Sequence, residues 1–105
     1  MTAFDERERE FETRFKHDQE VQFKVKARRN RLLGLWAAQR MGLAEDAAQA
    51  YAKEIVDAAF QGGDRRVAEK VCADLNAKGE SSTTAQIDLQ LTHLADTAKQ
   101  QIMQE

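Results

Sequence analysis

Apolar residues recur along this chain at spacings of three and four, the period of an α-helix. The densest run is Ala27–Gly42, ARRNRLLGLWAAQRMG, where Leu32, Leu35, Trp36 and Gln39 step onto one face that Val21, Val25 and Met41 extend. Gly34 lies inside the run, where a missing side chain lets a neighbouring helix come close, and Gly42 supplies a left-handed stop. A second helix is expected over about 44–61, with Ala44, Ala48, Tyr51, Ile55 and Ala59 as its stripe and Ala47, Ala52, Val56 and Phe60 widening it. Gly62–Gly63 breaks it, and Asp64 is placed to cap a third helix over about 65–78 that turns Val67, Ala68, Val71, Cys72 and Leu75 inward. After Gly79 and the Ser/Thr run at 81–84, Thr83 and Gln86 form a capping box for a last helix over about 83–103, with Ile87, Leu91, Leu94, Ala98 and Ile102 on one face. With the spine helix at about 20–41, these segments predict an all-α four-helix bundle.

The first nineteen residues do not fit into that bundle. Thr2 can cap a helix, acidic Asp5, Glu6 and Glu8 follow in its first turns, and Asp5–Arg9, Glu10–Arg14 and Glu12–Lys16 are acid-first pairs four apart. Phe4, Phe11 and Phe15 fall on one side, and His17–Asp18 is the expected hinge to the spine. One helix over residues 3–41 would span about 58 Å, whereas the other three reach only about 21–32 Å. Residues 1–19 therefore form an arm with nothing in the chain to pack against. From the residues alone, its three Phe side chains fold back on the bundle, bury in a homodimer or dock on a different protein.

Composition narrows the chemistry. The 105 residues include no Pro, few β-branched residues and a single Cys, which suits one helical domain without an internal disulfide. Cys72 lies among inward apolar positions as an inert thiol. His17 and His93 begin no metal-ligand spacing, and Gly62–Gly63–Asp64 lacks the Lys-Ser/Thr ending of a phosphate loop. Catalysis, a metal and a cofactor are not expected. No apolar run approaches a membrane span, and the start MTAFDERERE is too acidic for a signal peptide, so a cytoplasmic protein is expected. Residues 21–40 carry six basic side chains and no acidic one, between two acidic regions. On a helix Lys24, Arg28 and Arg31 share one side and Lys26 and Arg29 another, so the charge rims the apolar stripe. A nucleotide or nucleic-acid module contacting phosphate through Lys24, Arg28 and Arg31 is the alternative reading of this stretch.

Three strings are more specific than the pattern. FDERERxFExRFxHDxE (4–20), FKxxARRNRLLGLWAAxxMGL (23–43) and AYAKEIVDAxF (50–60), with GDxxVxxKVxxDL (63–75) behind them, resemble the alphaproteobacterial ζ subunit family of F-type ATP synthase inhibitors. The resemblance implies a four-helix bundle whose N-terminal segment is mobile when free and helical when bound. That segment would wedge into the catalytic interface of the synthase head, touch the rotating central stalk, and stop rotation in the hydrolytic direction alone. Carried over by position, the inhibitory segment is Thr2, Ala3, Phe4, Asp5, Glu6, Arg7 and Glu8 with Phe11, Phe15 and Lys16, and residues 20–105 anchor it. The implied partner is the head and stalk of the synthase, with no nucleic acid and no membrane insertion. The free protein would be monomeric, and held near the inner membrane only through the synthase.

Overall fold

A computed structural model describes the backbone of residues 3–105 and the side chains of residues 18–105. The described chain is all-helical, with α1 at Ala3–Arg40, α2 at Glu45–Ala77 and α3 at Thr84–Met103. These are three helices where the sequence predicts four. The expected break at 62–63 is a single non-helical residue inside α2, Gly63 at φ 70° and ψ −161°. One glycine in this region turns the chain without an intervening loop, so helix runs up to it on both sides. Cross-contacts show that α2 folds back there: the Tyr51 hydroxyl donates to Asp74 at 2.8 Å, and Lys70 sits over the Tyr51 ring. α1 runs without interruption through residues 17 and 18, where a hinge is expected.

The other ends follow the sequence closely. Gly42 at φ 73° and Gly79 at φ 91° each terminate a helix, and the amide of the following residue, Leu43 or Glu80, donates back to the carbonyl five residues earlier, Ala38 or Leu75. Thr83 and Gln86 form the reciprocal capping box, at 3.1 and 3.2 Å.

One core joins the three helices: Leu33, Ala37 and Ala38 of α1, Tyr51, Ile55 and Ala58 before the reversal, Val67, Val71 and Leu75 after it, and Ile87 and Leu91 of α3. The buried face of α1 differs from the expected one. Leu32, Leu35 and Trp36 are only half-buried and Gln39 is exposed, whereas Asn30, Leu33, Gly34, Ala37 and Ala38 point inward. Gly34 explains the rotation. A Cβ there would stand 2.5 Å from the Ala52 Cα, so α1 and α2 touch backbone to backbone. Such close approach selects the smallest side chains for the contact and moves the bulky ones to its rims. Phe60, expected to widen the inward stripe of α2, is instead 68% exposed, and Ala44 and Ala47 are exposed as well. Val67, Ala68, Val71 and Leu75 are buried as expected, as are Ile87, Leu91 and Ala98.

Candidate partner-binding surface

All ten expected inhibitory positions, Thr2, Ala3, Phe4, Asp5, Glu6, Arg7, Glu8, Phe11, Phe15 and Lys16, have side chains outside the described residues, as does His17. The described side chains of α1 begin with Asp18, Gln19 and Glu20, all exposed. Among the described residues the first aromatic contact is Phe23 against Phe60, with ring centroids 6.0 Å apart. Both the α2 reversal and the end of α3 reach α1 one to two turns further on, at Arg29 and Arg28.

The basic stretch divides between two surfaces, as helical spacing predicts. Lys24, Arg28 and Arg31 line one open groove with Phe23, Val56 and Ile102. Lys26 and Arg29 line a cleft on the other side. Most of this charge is already engaged within the chain. Arg28 donates to Gln101 and pairs with Glu105, and Arg31 donates to Gln49. Arg29 is buried. Its guanidinium donates to both oxygens of Asp64, at 2.6 and 3.4 Å, and to Asn30 Oδ1 at 3.1 and 3.2 Å. Sequence reasoning missed this pair, because it treated Arg29 as a rim charge and Asp64 as a helix cap. The signal available was the run Gly62–Gly63–Asp64, which brings a carboxylate to the turn that meets the spine.

Farther along α1, Arg40 pairs with Glu80 at 3.1 Å and covers the Trp36 ring at 5.3 Å. Cys72 is half-buried, its Sγ 3.2 Å from the Ser82 carbonyl it donates to. Burial holds the Tyr51 phenol above its ordinary range, and the adjacent Asp74 carboxylate adds to the effect. Among the described residues no three metal-ligating side chains gather, and no helix is long and apolar enough to cross a membrane.

The family model described as ATPase inhibitor subunit zeta matches residues 1–101. The chain belongs to that family. The match takes in the N-terminal segment as well as the helices behind it, so the zeta subunit assignment rests on both. A solved structure, described as the solution NMR structure of the protein, is similar to this zeta chain at 41% identity and a TM-score of 0.69, covering 80% of this chain and 96% of its own. No functionally curated protein matches. Membership implies interaction with the F-type ATP synthase in general terms.

Proposed function

We propose that this zeta chain blocks ATP hydrolysis by the F-type ATP synthase through residues 1–19, with residues 20–105 as the anchor. The observation that carries the reading is the family match across residues 1–101, which includes the phenylalanine-bearing segment. The exposed run Asp18–Glu20 supports it, because it leaves the base of that segment open to a partner. Residues 1–19 insert into the head, with Phe4, Phe11 and Phe15 buried at the catalytic interface and the charged positions Asp5, Glu6, Arg7, Glu8 and Lys16 fixing register. An inserted helix that also touches the central stalk opposes rotation in the hydrolytic direction and yields in the other. The role is non-catalytic, the free chain is monomeric, and its site is the cytoplasmic head. A nucleotide contact through Lys24, Arg28 and Arg31 is the poorer reading, since Arg28 and Arg31 already have acceptors in the chain.

The test is ATP hydrolysis by the isolated head with the full chain and with Phe4→Ala/Phe11→Ala/Phe15→Ala. Each buried Phe contributes about 1.5–3 kcal/mol, so losing three weakens inhibition by roughly a thousandfold or more. The melting of the helical core should stay nearly unchanged. Inhibition retained by the triple variant overturns the reading.

A further inference from the structure

The part of α1 just beyond the arm carries an apolar patch that the described chain leaves uncovered. Phe23 is 58% and Phe60 68% exposed, and their tilted rings stand together over a cleft of about 150 Å³ lined by Ala27, Val56 and Ala59. Two cations edge it, Lys24 on the groove toward α3 and Lys26 on the cleft. Both are exposed, and neither has a carboxylate partner among the described residues, unlike Arg28, Arg29 and Arg40. The nearest carboxylate across the cleft, Asp64, is committed to Arg29.

Size and charge decide what covers this patch. The exposed parts of the two rings amount to about 250 Å², against about 800 Å² per partner in a self-standing interface. The patch therefore belongs at the end of a larger contact. A second copy of this chain fits less well, because a two-fold contact centred on the rings gathers Lys24 and Lys26 of both copies, four cations against the two Glu20 carboxylates that line the groove beside Phe23. Through the exposed run Asp18–Glu20 the same helix leads directly into the arm. We infer that Phe23 and Phe60 dock on the same ATPase head that receives the arm, against an apolar side chain set among carboxylates, with Lys24 and Lys26 pairing those acids. This rests on the inhibitory reading above and adds a second contact to it.

The experiment measures the affinity of the full chain for the isolated head, alongside inhibition of hydrolysis, for the wild type, Phe23→Ser/Phe60→Ser, Lys24→Glu/Lys26→Glu and the triple arm variant. All four patch side chains are exposed, so thermal melts should remain within a few degrees of the wild type. Each patch pair should raise Kd at least tenfold, while saturating protein still inhibits fully because the arm is intact. Added salt should narrow the gap between the wild type and Lys24→Glu/Lys26→Glu, as screening requires. The arm variant should lose inhibition yet keep measurable binding through the patch. Unchanged affinity in both patch pairs, with the wild type inhibiting, overturns the docking surface alone. A wild type that neither binds nor inhibits overturns the arm reading and this one with it. Concentration-dependent dimerisation that Phe23→Ser/Phe60→Ser abolishes assigns the patch to a second copy and overturns the inference.

Discussion

Replacing Gly34 by Ala puts the close contact between α1 and α2 to a direct test. The new Cβ would stand 2.5 Å from the Ala52 Cα, 3.2 Å from its Cβ and 3.3 Å from its backbone nitrogen. Ordinary carbon contacts lie near 3.5–4.0 Å, so the helices must part by about 1 Å. Backbone is the obstacle, and no side-chain rotamer relieves it. Two effects oppose each other. Alanine favours the helix over glycine by about 1 kcal/mol, whereas overpacking a tight core costs about 1–3 kcal/mol. Because the obstructing atom is a Cα beside the fully buried Leu33, Ala37 and Ile55, the cost belongs at the upper end of that range. The net result is a destabilisation of about 2 kcal/mol. In a domain of this size, that lowers the Tm by roughly 8–16 °C. Thermal melting followed by circular dichroism at 222 nm reads the change. Adding Ala52→Gly should not rescue Gly34→Ala, since it removes the 3.2 Å neighbour and leaves the 2.5 Å one. A variant that melts at or above the wild type would refute the account, because propensity alone would then have decided the outcome.

Two further substitutions probe the polar contacts. Asp64→Asn leaves the buried Arg29 guanidinium without its carboxylate, and since Asp64 itself is more than half exposed the cost is moderate, about 1–2 kcal/mol in urea denaturation; an unchanged midpoint would show the pair to be idle. Tyr51→Phe removes the hydrogen bond to Asp74 and costs about 1 kcal/mol near neutral pH. The wild-type phenol titrates above its unfolded value of 10.0, so its stabilising effect is complete below that pH and is lost as the pH climbs further. The stability gap between wild type and Tyr51→Phe should therefore shrink as the pH rises past 10, while the single tyrosine of the chain, followed by phenolate absorbance, stays protonated in the native protein there. Parallel stability curves would contradict it.

Local chemistry was legible where one residue decides the outcome. Gly42 and Gly79 end helices because few other residues take a positive φ, and Thr83 with Gln86 satisfies a helix start within four residues. Gly34 was also readable as a point of close approach, but its consequence for the rest of α1 was not. The periodicity of ARRNRLLGLWAAQRMG offers two adjacent faces, one with Leu32, Leu35 and Trp36 and one with Leu33, Ala37 and Ala38. Weighting by side-chain size selects the first, and helix-to-helix distance selects the second. That distance depends on Ala52, eighteen residues away in sequence, so α1 alone does not contain it. Phe60 was misplaced for a related reason, since its period matches the stripe but it lies close to the reversal at Gly63, where α3 and the rest of α2 leave it uncovered. The arm is an inference from an excess of length, and its partner one from the family strings.

The cations of α1 show why the basic stretch resists reading as a single motif. Each arginine among the described residues of α1 holds a different part of the chain: Arg28 the end of α3, Arg29 the reversal of α2, Arg31 the start of α2, and Arg40 the turn before α3. Positive charge on the spine is thus spent on closing the bundle, which explains why it sits between two acidic regions. Lys24 and Lys26 lie less than two turns below Arg29, and among the described residues neither has a carboxylate partner. The residue type changes at the same point. Planar, bidentate arginines serve the fixed contacts inside the bundle, and lysines, flexible point charges, face outward beside Phe23. The boundary between what α1 does for its own fold and what it offers to a partner therefore falls between Lys26 and Arg28. For that reason Asp64→Asn should act on stability, and Lys24→Glu/Lys26→Glu on binding.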